Sequence, residues 1–111
     1  MASETLRLGA GALALALALP AAAQDIRAGR DKARMCTPCH GPLGIAVAPD
    51  APNLAGENAA YIAEQLRAFR DGRRAHHQMS IIASGLSDQD IADLAAWFEA
   101  IEVTAKAPVL D

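Results

Sequence analysis

Cys36-Thr37-Pro38-Cys39-His40 is the stretch from which the rest of the chain is read. Two thiols three positions apart, followed at once by an imidazole, make a C-x-x-C-H string, the attachment sequence of a c-type haem. The spacing has a physical basis. Thiols one helical turn apart can each add to a haem vinyl group, giving two thioether bonds, and the adjacent imidazole of His40 then lies under the iron and ligates it. Covalent linkage keeps the cofactor on a small protein that could not otherwise enclose it. Cys36 and Cys39 are also the only cysteines in the chain, so no structural disulfide competes for them.

Three other uses of these residues stand beside that one. A Cys pair in an exported protein forms a disulfide in many cases, although so short a separation is poor for a structural bridge. A thioredoxin-like dithiol sits beside a βαβ pattern, and the chain shows none. A zinc site would recruit Cys36, Cys39 and His76 or His77, across a gap unlike common finger spacings.

Composition points the same way as the motif. The 111 residues are 52% apolar but only 4% aromatic. Met1 to Ala23 holds 16 of the apolar residues, nearly all Ala and Leu. The 88 that follow hold 42, of which 18 are alanine, leaving 24 bulkier apolar or sulfur side chains for a core. A domain of that size usually needs a staple, metal, cofactor or partner. The length excludes two full-sized domains and a large multi-substrate enzyme. A net charge of −3 argues against a nucleic-acid partner, whose binder would be basic.

The N-terminal excess has its own explanation. Arg7 and Glu4 precede the uncharged run Leu8 to Leu19, then Pro20 and Ala21-Ala22-Ala23. This is the layout of a secretory signal, with charged, apolar and small-residue regions in order. The expectation is a signal peptide over 1–23, cleaved after Ala23, and one exported domain over 24–111 in the periplasm. Left uncleaved, the run from Leu8 to Gln24 would be an anchor at the short limit for a spanning helix, the one route by which a membrane enters.

Three helices can be read in the mature part. The first runs from Asp25, as N-cap, to about Met35. The second covers about Asn58 to Arg70, with Tyr61, Ile62, Leu66 and Phe69 on one face, Glu64, Arg67 and Arg70 toward water, and Asp71-Gly72 as its stop. The third opens on Ser87-Asp88-Gln89-Asp90, a variant capping box, and continues through Ile91, Leu94, Ala95, Phe98 and Ile101, with Trp97 beside them. Gly41 to Gly56, rich in Gly and Pro, reads as an irregular loop. No stretch alternates as a strand would. The class is all-α.

From Gly29 to Ile101 the chain resembles class I c-type cytochromes, most of all single bacterial domains of the cytochrome c4 and c553 kind. The resemblance rests on ordered features: Gly29 seven residues before Cys36, then Cys36, Cys39 and His40. Next come Pro52-Asn53-Leu54-Ala55-Gly56 as the P-x-L-x-G element and Tyr61 to Phe69 as the middle helix. Met79, Leu86-Ser87-Asp88 and the helix Asp90 to Ala100, with Leu94 and Trp97 at crossing positions, complete the set. It implies a small cytochrome c fold, helices wrapped round one covalently attached haem, with Gly29 letting the first and last helices cross closely. It implies that the carbonyl of Pro52 orients His40 and that Leu54 packs near the haem. It also places the sixth iron ligand at Met79, on a loop before the final helix. Of the other methionines, Met1 leaves with the leader and Met35 adjoins Cys36, too near to reach the far haem face; His76 and His77 are the rival ligands.

The function expected is that of a periplasmic electron carrier, His40 and Met79 on the iron of one haem c, with redox proteins as donor and acceptor. No separate set of acid, base and nucleophile suggests an enzyme. The alternative is the haem subunit of a larger periplasmic dehydrogenase, such as one resembling a sulfide-oxidising flavocytochrome. Arg67, Arg70, Arg73 and Arg74, followed by His76 and His77, form a basic segment ahead of an acidic C-terminal half. Such a dipole would steer an acidic partner to the haem edge; the alternative is an ordinary solvated helix face, with one Arg pairing with a haem propionate.

Overall fold

Asp25 sets the start of the first helix. In the computed structural model, which describes residues 1–17 and 23–111, its carboxylate accepts hydrogen bonds from the N–H groups of Arg27 (2.9 Å) and Ala28 (3.1 Å). Helix α1 (Ile26–Lys32) follows. Residues 18–22, within the expected leader, lie outside the described residues. No helix among the described residues is long and apolar enough to cross a membrane.

The single helix expected as far as Met35 is instead a relay. α1 tightens into a 3-10 turn (Ala33–Cys36) and then a further helical turn, α2 (Thr37–His40). A 3-10 turn is the usual way to close a helix end. Here it carries the chain straight into the C-x-x-C-H string, with Pro38 in the first turn of α2, where its missing N–H costs nothing. Gly41 ends α2 at φ +79°, and a Cβ at that position would strike the carbonyl of Ile45.

Helix α3 (Ala59–Asp71) begins at Asn58, whose side chain accepts from the N–H of Tyr61 at 3.1 Å, and ends at Gly72. Helix α4 (Met79–Ser84) occupies a stretch read from sequence as loop. Helix α5 (Asp88–Ala100) has a reciprocal capping box. The Ser87 hydroxyl accepts from the Asp90 N–H and the Asp90 carboxylate accepts from the Ser87 N–H, both at 3.0 Å. The described residues contain no strand, and the fold is all-α.

α5 is the centre of the packing, with α1 and α3 against it and α4 against α3. Ile91 and Leu94 are its largest fully buried side chains, flanked by Ala95, Ala96 and Phe98. Each such large aliphatic contributes roughly 1.5–3 kcal/mol through burial. Gly29 sits where α1 crosses α5. A Cβ there would run into the Asp93 carbonyl and reach within 3.0 Å of Trp97 Cβ, so only glycine permits the approach. The buried carboxylate of Asp93 then pins the start of α1, accepting from the Asp25 N–H at 2.8 Å and from the Gln89 side-chain amide at 2.8 Å. This crossing fixes the motif turn, which continues directly from α1, relative to α5.

Candidate functional site

Cys36 and Cys39 are both free thiols, half-buried, on successive turns of the same helical path. Burial pushes the Cys36 thiol up to about 11, so it is protonated at neutral pH. Among the described residues no three His, Cys, Asp or Glu side chains converge as a cation cage.

His40 is 8% exposed, and its Nδ1 lies 2.8 Å from the carbonyl oxygen of Pro52. A ring nitrogen facing a carbonyl must donate, which puts the imidazole proton on Nδ1 and leaves the Nε2 lone pair free for a metal. The loop after Gly41 is built to hold that carbonyl. Val47 and Ala48 donate to the Cys39 carbonyl, at 3.0 and 3.1 Å. Leu54 and Ala55 donate to the Gly44 carbonyl, at 2.7 and 3.0 Å, while Asn53 Oδ1 accepts from Ala46 at 2.7 Å. The N–H of Gly56 finally ties the loop to α5 through the Phe98 carbonyl, at 2.8 Å. The segment expected to be irregular is irregular in dihedrals, but it is internally bonded.

All six residues singled out from the sequence, Cys36, Cys39, His40, Pro52, Leu54 and Met79, line one cavity of about 570 Å³. The volume falls in the roughly 300–1,000 Å³ range of cofactor sites. Its apolar wall is supplied by Leu54, Ile62, Leu66, Phe69, Leu94 and Phe98. The donor set is two thiols, one imidazole nitrogen with its partner nitrogen already engaged, and one thioether sulfur. A large, flat, mostly apolar cofactor attached through sulfur fits that lining, and a hydrated ion does not.

Met79 departs from expectation in one respect. It is not on a loop but is the first residue of α4, half-buried. Six helical residues give less than two turns, too few for an apolar periodicity to register, so the element left no signal of its own. Other lining residues were not singled out as site residues. Tyr61 and Gln65, one turn apart on α3, both face the cavity, as does Arg74. The signal available was the i, i+4 spacing of a polar residue placed within the apolar face of that helix.

The basic segment also differs from its reading. Arg70 does not face open water: it binds Asp88 at 2.8 Å and Asp71 at 3.6 Å, and donates to the Leu86 carbonyl at 3.3 Å. Its hydrogen bond to Asp88 raises its pKa. Arg73 bridges Glu64 at 2.7 Å and Asp71 at 3.4 Å. Arg74 lies over the Phe69 ring, 4.5 Å from its centre, and donates to Gln65 at 2.7 Å. Two of the four arginines are thus paired with carboxylates, Arg70 with Asp71 and with Asp88 on α5, Arg73 with Glu64 and Asp71 on α3.

A family described as cytochrome C oxidase, cbb3-type, subunit III matches residues 22–98. The chain is 45% identical over 83 residues to cytochrome c-554(548) of Halomonas halodenitrificans, covering 72% of this chain and all of that one. The crystal structure of reduced recombinant cytochrome c4 from Pseudomonas stutzeri superposes with a TM-score of 0.67 at 35% identity, over 72% of this chain and 47% of that one. A thiosulfate dehydrogenase from Marichromatium purpuratum gives a TM-score of 0.67 at 34% identity, over 76% of this chain and 20% of that one. The chain therefore spans the whole of one relative and half or less of the other two.

Proposed function

The chain belongs to this c-type cytochrome family, and from that premise we propose that it is an exported electron carrier whose haem c is bound through Cys36 and Cys39 and ligated by His40 and Met79. That it is a haem protein of electron transfer, and not an enzyme in its own right, comes with the family. The observation that carries the residue assignment is the shared cavity, in which these four side chains meet from the 3-10 turn, α2 and α4.

The group supplies reversible one-electron chemistry at iron, and a His/Met pair raises its potential. The residues do the rest. Cys36 and Cys39 fix the cofactor to the helical turn. The Pro52 carbonyl holds the His40 ring with Nε2 presented. Leu54 and the buried faces of α3 and α5 keep water from the apolar wall, lowering the local dielectric. Met79 offers a neutral sulfur that favours the reduced state.

Residues 1–23 serve in this reading as a cleaved leader and 24–111 as one domain in the periplasm, where its donor and acceptor are other redox proteins. A second reading is supported by the likeness to part of a thiosulfate dehydrogenase chain: the domain passes electrons as the haem subunit of a larger dehydrogenase, for which a sulfide-oxidising flavocytochrome is the other pattern. Stable co-elution of the native protein with a larger subunit would favour it over a free carrier.

The test is spectroscopic. The purified protein should retain haem after denaturation and be low-spin in both oxidation states. Met79→Ala should open the reduced protein to carbon monoxide and lower its midpoint potential. A Met79→Ala protein with the parent's spectrum and potential would remove Met79 from the iron.

A further inference from the structure

Met79 is carried by a helix too short to hold itself. Isolated helices under about 12–15 residues are marginal in water, and α4 has six. Its position depends on what receives its first N–H groups, which have no partner inside the helix. None of the favoured capping residues stands at the position before it, which is Gln78, and the Gln78 side chain makes no capping bond.

The partner comes from three residues upstream of Met79. His76 Nδ1 accepts from the N–H of Gln78 and from the N–H of Met79 itself, each at 3.2 Å. The backbone closes the arrangement: the His76 N–H donates to Ser80 Oγ at 3.0 Å, and the Ser80 N–H donates to the His76 carbonyl at 3.0 Å. The His76 ring is also stacked on that of His77, with centroids 4.3 Å apart and planes tilted by 32°. Four hydrogen bonds and one ring contact thus lock His76 to the first turn of α4.

We infer that His76 is a positioning residue for Met79: its Nδ1 caps α4 and fixes the backbone from which the Met79 sulfur reaches the iron. This rests on the reading of Met79 as a ligand. An imidazole whose Nδ1 accepts two bonds carries its proton on Nε2. In this arrangement His76 has no lone pair free for iron, so it serves the ligand and does not replace it.

The holoprotein in its reduced form tests this, with carbon monoxide as the probe competing for the Met79 position. His76→Leu keeps bulk but removes the acceptor. Its carbon monoxide association rate should rise by about fivefold, the scale set by losing one helix cap, and its midpoint potential should fall. His76→Asn returns an oxygen acceptor and should restore both values toward the parent. Met79→Ala sets the upper limit of each effect. A Met79→Ala protein identical to the parent would sink the ligand reading and the positioning role with it. Met79→Ala opened but His76→Leu unchanged would leave the ligand reading intact and overturn the positioning role. Equal changes in His76→Leu and His76→Asn would assign the effect to lost ring packing, which also overturns it. Should His76→Leu fail to accumulate, Ser80→Ala removes the reciprocal bond alone. A smaller rise in the same rate supports the cap, and no rise overturns it.

Discussion

At Gly29 one hydrogen atom in place of a methyl group decides whether α1 and α5 can meet. The atom that an alanine Cβ would strike is the Asp93 carbonyl, part of the backbone of a buried helix, and it cannot swing aside as a side-chain tip could. The two helices would have to separate, taking with them the Asp93 bonds that hold the start of α1. Overpacking of this kind costs about 1–3 kcal/mol, and a backbone clash belongs at the upper end. Gly29→Ala should therefore lower the denaturant midpoint of the holoprotein by that amount, and a shift under about 0.5 kcal/mol would contradict the close crossing. The role of Gly29 came from family resemblance, since a glycine on a helix carries no signal of what lies against it. Pro52 is a similar case. What it offers His40 is a backbone carbonyl, present in every residue, so only the string around it marks the position. His76 was legible as a histidine near Met79, but not as a cap, because its contacts depend on how the turn folds back.

Among the elements, α3 and α5 were legible because local chemistry marks them at both ends or along their length. Asn58 and Gly72 bracket α3, while Ser87 and Asp90 open α5 with reciprocal bonds. Their apolar residues recur over 13 positions each, long enough for the 3.6-residue period to stand out. The 3-10 joint and α4 are each six residues or fewer and have no period to read. The pairing of Arg70 with Asp88 was hidden for another reason, since it joins two helices. The capping box of α5 gives a prediction at this scale. The Ser87 N–H bond, with Lys32 at 3.3 Å beside it, holds the Asp90 carboxyl below its ordinary 3.8. A depressed carboxylate stabilises the fold above its unfolded pKa, and that contribution fades as pH falls through the folded value. Asp90→Asn should accordingly be less stable than the parent at pH 7. The gap should narrow as pH falls below about 4 toward the depressed folded value, where Asp90 itself takes up a proton. Ser87→Ala, which removes the other half of the box, should cost about 1 kcal/mol. Chemical denaturation of the variants across pH 3 to 7 reads both, and an Asp90→Asn gap that stayed constant with pH would contradict the assignment.

For the whole molecule, the scarcity of large side chains has a structural counterpart. Among the described residues, half of the buried apolar ones are alanine, and only Ile91 and Leu94 are large and wholly enclosed. Of the large buried ones, Ile62, Phe69, Leu86, Leu94 and Phe98 also line the cavity, and Ile91 does not. Ile62, Leu86, Leu94 and Phe98 belong to the packed cluster around α5 and face the cavity as well. The fold thus has one thin layer of direct helix–helix contact, centred on α5, and a second layer whose inner surface is complete only against the cofactor. A ligand that binds the native state alone stabilises it by mass action, and a covalent one is never diluted away. Small domains without such a filler sit near the limit of stability. The cofactor should therefore contribute most of the cooperativity. The chain with Cys36→Ser and Cys39→Ser, produced without haem, should keep part of its helicity but show no sharp thermal transition near that of the holoprotein. Circular dichroism melts of the two forms make the comparison. A haem-free chain melting cooperatively within a few degrees of the holoprotein would mean that the α5-centred layer suffices alone, and that the alanine-rich core is complete without the group it surrounds.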